Sequence, residues 1–239
     1  ADYIHLDVMD GQFVPNKTFD HTKIKELRPL TLIPFDAHLM IDEPVKHVHD
    51  YVDAGSDIIT VHAEVCDESS FGEICDVLHS NEVGIGLAIN PDTELPQWCY
   101  KFVELLDQVI IMSVVPGKSG QKFIESTHEK TRRVTKDLRE HKFEGYVESD
   151  GGVNLENIGA CFEDGARAFV GGSAIIGQND VRMIIKEFRN QVLESRRRLL
   201  IKKAHDLGGT ELVNSWIDLH VVGEKKDKLV QIAKELGFQ

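Results

Sequence analysis

Ala1-Asp2-Tyr3-Ile4-His5-Leu6-Asp7-Val8-Met9-Asp10-Gly11 opens the chain, and the reading of this stretch decides the fold. Residues 3–9 have the composition of a β-strand, in which alternate side chains share a face. His5, Asp7 and Met9 then point one way, and Ile4, Leu6 and Val8 the other. An imidazole, a carboxylate and a thioether on the inward face of a strand suit two arrangements. One is a cation held beside a substrate; the other is a buried His–Asp hydrogen bond.

Working outward, the pattern of a short apolar run followed by a helical stretch recurs. Strands are expected at 3–9, 34–40, 57–63, 84–89, 107–114, 144–149 and 167–171. Helical patterns lie near 21–28, 43–54, 68–80, 93–105, 121–140, 154–164 and 179–200. Strand then helix, without hairpin signals, implies a parallel sheet with helices outside it. The Ile- and Val-rich strands are those of a sheet covered on both faces. Seven such units point to an α/β protein of the (β/α)8 TIM-barrel type, its first strand absent from the sequence shown.

The remaining features bound the function. At 239 residues the chain suits one large domain, here 1–190, followed by a C-terminal helical extension at 191–239. A net charge of −13 argues against non-specific nucleic-acid binding, so an anionic substrate must be held by local devices such as backbone amides or a metal. No apolar run is long enough to span a bilayer, and no signal-peptide pattern is present. The cysteines, Cys66, Cys75, Cys99 and Cys161, lack CxxC spacing and read as reduced thiols. A cytoplasmic homo-oligomer with no nucleic-acid or membrane partner is expected.

In a parallel barrel the chemistry sits at the C-terminal ends of the strands. Those ends carry His5, Asp7 and Met9; His38 and Met40; Met112 and Ser113 before Val115-Pro116-Gly117-Lys118-Ser119-Gly120-Gln121; Asp150 before Gly151-Gly152; and Gly172-Ser173. Two His and two Asp make a divalent site suited to zinc, iron, manganese or cobalt. Glycine-bearing loops at successive strand ends let backbone amides approach a phosphate.

Several blocks, in order, resemble the ribulose-phosphate 3-epimerase family: His5-Leu6-Asp7-Val8-Met9-Asp10-Gly11-Gln12-Phe13-Val14-Pro15-Asn16, Asp36-Ala37-His38-Leu39-Met40, Val61-His62-Ala63-Glu64, Met112-Ser113-Val114-Val115-Pro116-Gly117, Asp150-Gly151-Gly152-Val153 and Gly172-Ser173-Ala174. The resemblance covers residues 1 to about 190. It implies that His5, Asp7, His38 and Asp150 bind one divalent metal, zinc foremost, and that Asp7 and Asp150 form the acid–base pair. His38, Gly117, Lys118, Ser119, Gly120, Gly151, Gly152, Gly172 and Ser173 would contact substrate and phosphate, under an apolar lid of Met9, Met40 and Met112. The implied reaction is interconversion of D-ribulose 5-phosphate and D-xylulose 5-phosphate, a step of the pentose phosphate pathway, by two-base proton transfer through an enediolate. A six-carbon analogue, allulose 6-phosphate, and an inactive barrel scaffold are the alternatives.

Inverting a carbon beside a ketone needs acid–base groups on both faces of the substrate. With the missing strand counted first, Asp7 falls on strand two and Asp150 on strand seven, three steps apart around an eight-membered ring. The sequence also departs from the family. Its opening strand with a substrate-contacting serine is absent, Val115 stands where a polar residue is usual, Lys118-Ser119 replace an aromatic–glycine pair, and Asp20 replaces a glycine. His62 matches no ligand position and reads as a core or supporting histidine; His47 and His49 read as surface. Beyond 203, Thr210 is an N-cap for a helix holding Trp216, a further amphipathic helix covers 224–236, and a strand at 216–222 is the alternative.

Overall fold

A computed structural model describes residues 1–206. Seven strands, β1 (Ile4–Met9), β2 (Phe35–Met40), β3 (Ile58–His62), β4 (Gly84–Ile89), β5 (Gln108–Met112), β6 (Tyr146–Asp150) and β7 (Ala168–Val170), form one sheet. They pair in chain order and every pairing is parallel. The helices are α1 (His21–Leu27), α2 (Val48–Asp53), α3 (Glu68–Ser80), α4 (Thr127–Glu140), α5 (Ile158–Asp164), α6 (Ser173–Ile176) and α7 (Val181–Asp206). No strand among the described residues joins β7 to β1. The helices expected beyond 206 lie outside the described residues, as does the alternative strand at 216–222.

The sheet is rolled, and side chains prove it. β1 and β6 are five strand spacings apart, about 24 Å if the sheet were flat. Yet His5 Nε2 on β1 lies 3.6 Å from Asp150 Oδ2 on β6. Gln108 Nε2 on β5 likewise donates to Asp36 Oδ1 on β2 at 2.8 Å. The concave face is therefore a barrel interior. The convex face carries Leu6, Val8, Leu39, Ile59, Val61, Leu87, Val109 and Ile111 into one core with Phe71, Ile74 and Leu78 of α3.

Three helical expectations are corrected. The stretch 93–105 holds only a 3-10 turn, Gln97–Lys101, because Pro91 and Pro96 supply no amide donors and the chain needs only to seat Trp98 and Phe102 on Phe71. The helix expected at 121–140 starts at Thr127, since the chain before it is held to the residue after β5, with the Ile124 amide donating to Ser113 O at 2.9 Å. Pro44 divides 43–54 into a 3-10 turn, Pro44–Lys46, and the short α2. At the far end, α7 runs unbroken through residue 190, and Arg189 pairs with Asp2 at 2.9 Å.

One glycine is set by close approach. Gly86 lies between Thr60 and Gln108 in the register, and Gln108 Nε2 donates to Thr60 Oγ1 at 2.6 Å across it. A Cβ on Gly86 would lie 2.0 Å from that hydroxyl oxygen. Gly86→Ala is expected to cost about 1–3 kcal/mol by overpacking. A urea midpoint equal to that of the parent protein would contradict this packing.

Candidate active site

Strand alternation and roll bring four side chains together at the C-terminal mouth of the barrel. The parallel register sets Asp7 beside His38, and Met9 beside Met40. Across the cavity, the Ser113 amide donates to Asp150 O at 2.6 Å, and the Ser113 hydroxyl sits 2.7 Å from Gly151 O, fixing the end of β6. His5 Nε2 lies 3.4 Å from Asp7 Oδ1 and 3.6 Å from Asp150 Oδ2. His38 Nδ1 lies 3.4 Å from Asp7 Oδ1 and 3.3 Å from Asp150 Oδ2. One donor atom from each of the four lies within 4.8 Å of all the others.

These separations test whether the four residues fit a cation. Ligands about 2.0–2.1 Å from a tetrahedral zinc stand roughly 3.3–3.4 Å from one another. The four edges run from 3.3 to 3.6 Å, longer than a good N–H···O hydrogen bond and close to that spacing. His5 Nε2, His38 Nδ1 and Asp7 Oδ1 are also buried without a hydrogen-bond partner. Such orphaned atoms in a borderline N/O donor set are what a divalent metal ligates. The residues fit the group.

The electrostatics agree. Burial opposes charge on His38, but Asp150 and Asp7 outweigh it and push its pKa up to about 9. Burial likewise opposes charge on His5, and Asp36, Asp150 and Asp7 together raise it well above the ordinary value. Burial would raise Asp7, but the imidazoles of His38 and His5 beside it hold it far below the usual carboxylate range; Asp150 is lowered by the same pair. The pocket thus favours added positive charge, whether as protons on imidazole or as a cation.

A cavity of about 260 Å³ opens above this cluster. Asp7 and Asp150 both line it, and the side chain of Asp7 is 45% exposed although its Oδ1 is buried. Met9, Met40 and Met112, all buried, line the wall. The lining also includes Gly117, Lys118, Ser119, Gly120, Gly151, Gly152, Gly172 and Ser173. Gly151 has φ +113°, and a Cβ there would meet Val114 Cγ2 at 2.3 Å, so the chain can turn here only as glycine. Gln121 Nε2 pins the first loop through Val115 O and Lys118 O, at 2.6 and 2.8 Å. Asn16 ties it to the β1–α1 loop through Gly117 O at 2.6 Å. Asp20, where a glycine is usual, caps α1 by accepting from the Thr22 amide.

Every site residue expected from sequence lines this cavity or the cluster beneath it. Sequence reasoning missed the supporting layer. Asp36 Oδ2 accepts from His5 Nδ1 at 2.8 Å, while Gln108, itself bonded to Thr60 and Tyr146, holds the other Asp36 oxygen. Burial, with help from Asp36, raises Glu148 to about 8, so it is a neutral acid 3.5 Å from His5 Nδ1. The signal was present: Asp36 and Glu148 precede His38 and Asp150 by two residues, on the same strand face. His62 is a buried neighbour of His38, and burial lowers its pKa. His47 is half exposed, pairing loosely with Asp50.

Rolled parallel sheet and polar mouth define a β/α-barrel enzyme with a two-histidine, two-aspartate cluster beneath a glycine-rich cavity. The chain belongs to the ribulose-phosphate 3-epimerase family, whose sequence model matches residues 1–176. It is 40% identical over 190 residues to the ribulose-phosphate 3-epimerase of Bacillus subtilis, covering 79% of this chain and 86% of that one. It is 38% identical over 193 residues to the Escherichia coli enzyme of that name, covering 80% and 84%. In fold it is similar to a 3-keto-L-gulonate-6-phosphate decarboxylase from Vibrio cholerae, with TM-score 0.57, 14% identity and coverage of 80% and 85%. That distant likeness bears on the barrel alone. Among the described residues, no helix is long and apolar enough to cross a membrane.

Glu64 supplies a pH test of the rim. Burial would raise its carboxyl, but hydrogen bonds from His62, Thr93 and the Asn90 amide outweigh it and bring it to about 2. A depressed carboxylate adds stability that is complete above its unfolded pKa, about 4.3, and lost as pH falls through the folded one. Carboxyl 13C NMR is expected to show Glu64 titrating near pH 2; a midpoint at or above about 4.3 contradicts these contacts.

Proposed function

We propose that the chain interconverts D-ribulose 5-phosphate and D-xylulose 5-phosphate by moving the proton on carbon three. The observation that carries this is the placement of Asp7 and Asp150 on β1 and β6, both lining one cavity and both leaning on the same two imidazoles. One carboxylate removes the proton from one face of the carbon. The other, protonated, returns a proton to the opposite face of the enediolate. One acid must be ionised and the other not; the charge of Asp7 opposes ionisation of Asp150, but His38 and His5 outweigh it and hold both carboxyls low, so the acid gains its proton in the course of the reaction.

His5, Asp7, His38 and Asp150 would hold a divalent cation, zinc foremost; when bound, it polarises the ketone and steadies negative charge on the sugar oxygens. Met9, Met40 and Met112 keep water from the reacting carbons. The substrate's phosphate sits against Gly151, Gly152, Gly172 and Ser173, with the Lys118 ammonium and Ser119 hydroxyl closing over it. In a chain of net charge −13, a glycine-rich lining that lets backbone amides approach, with one lysine, is what would hold a dianion.

Epimerisation in D2O is expected to place deuterium at carbon three. Asp7→Asn and Asp150→Asn are each expected to lower exchange by about 10²–10⁴-fold; full exchange in either variant refutes the acid–base assignment. Running allulose 6-phosphate beside the pentose separates the six-carbon reading from the five-carbon one. Dialysis against a chelator is expected to abolish turnover and added zinc, iron, manganese or cobalt to restore it. Undiminished turnover after metal removal, verified by elemental analysis, contradicts the cation's role.

A further inference from the structure

Outside the four-atom cluster, the ring nitrogens of His38 meet one other side chain. His38 is fully buried, and its Nε2 lies 2.8 Å from Nε2 of His62. The two rings meet edge to edge and nearly coplanar, with 4.9 Å between centroids and an 18° tilt, and the Phe13 ring lies 4.7 Å from that of His62. His62 is fully buried too, and its Nδ1 lies 3.1 Å from Glu64 Oε2. The other Glu64 oxygen accepts from the Asn90 amide at 2.7 Å. Four groups therefore stand in a row from the end of β4 to the metal-fitting cluster.

Such a row has only one polarity. An ionised carboxylate accepts and never donates, so the proton between Glu64 and His62 sits on His62 Nδ1. A neutral imidazole carries one N–H, which leaves His62 Nε2 as an acceptor. The proton between the two rings then belongs to His38 Nε2. That makes His38 Nδ1 a bare lone pair, aimed at the point shared with Asp7 Oδ1 and Asp150 Oδ2.

We propose that Glu64, acting through His62, is the positioning group that sets the tautomer of His38 and so presents its Nδ1 lone pair to the divalent cation. This rests on the metal reading above. Histidine ligands commonly donate their second N–H to a carboxylate, which fixes the ring and raises its basicity. His5 does so directly, to Asp36. His38 faces His62 instead, and the carboxylate works at one remove. His62 is thereby explained: it is a spacer that conveys polarity, and its nitrogens are both committed elsewhere than the cation.

Two isosteric substitutions separate polarity from packing. In Glu64→Gln the amide oxygen stays on the Asn90 amide and the NH2 faces His62, which inverts the row and places a proton on His38 Nδ1. In His62→Gln the carboxamide oxygen accepts from His38 while its NH2 donates to Glu64, so the polarity survives. Zinc(II) affinity, measured by competition with a chromophoric chelator, is expected to fall about 10–100-fold in Glu64→Gln and to stay near the parent value in His62→Gln. Long-range 1H–15N NMR of the zinc-loaded parent is expected to place the His62 proton on Nδ1 and the His38 proton on Nε2. Parent-like affinity in Glu64→Gln, an equal loss in both variants, or a proton on His62 Nε2 in the parent would overturn the relay. A parent that binds no zinc would instead overturn the metal reading itself, and the relay with it.

Discussion

Charged side chains on the concave face of a rolled sheet cannot be left without partners. Taking a carboxylate or an imidazolium out of water costs several kcal/mol per ion, which only close and well-directed partners offset. His5 meets this constraint in both directions at once. Its Nε2 faces Asp7 and Asp150 at the mouth, and its Nδ1 faces Asp36 and Glu148 below. The Asp36–Gln108 contact joins β2 to β5, and the His5–Asp150 contact joins β1 to β6, so the polar interior also records the curvature of the sheet. Where closure by strand pairing is not seen among the described residues, these contacts span the barrel.

Two layers divide the work. The lower one, Asp36, Gln108, Thr60 and Tyr146, is a network of hydrogen bonds that orients His5 and makes no contact with the cavity. The upper one offers two carboxylates and two imidazoles, with three buried methionines beside them. The glycine loops after β5 and β6 are held by side-chain amides of Asn16, Gln121 and Asn157. The four-residue cluster and the glycine lining meet at the end of β6, where Asp150 is followed directly by Gly151 and Gly152, while the loop after β5 stands apart from the cluster. Lys118-Ser119 and Val115, which depart from the family, are confined to that loop.

Much of this was legible in the sequence because strand periodicity is local. Alternation along Ile4–Met9 and Phe35–Met40 was enough to set His5, Asp7, Met9, His38 and Met40 on one face. The seven strands follow from apolar runs bounded by turn residues. What escaped reading depends on partners far apart in the chain. Nothing near Gln108 says that its amide will reach Asp36, 72 residues away, and nothing near His62 says that its ring nitrogen will meet that of His38. The turn at Gln97–Lys101 was lost for a related reason: aromatic spacing mimics a helix, while the prolines flanking it and the seat offered by Phe71 decide otherwise.

The central claim is that four side chains from three strands share one cation. Anomalous diffraction at the zinc edge, from crystals of the zinc-loaded protein, tests it most directly. The account requires a single strong peak enclosed by His5 Nε2, His38 Nδ1, Asp7 Oδ1 and Asp150 Oδ2. A peak elsewhere, or one touching only His5 and Asp36, would contradict it.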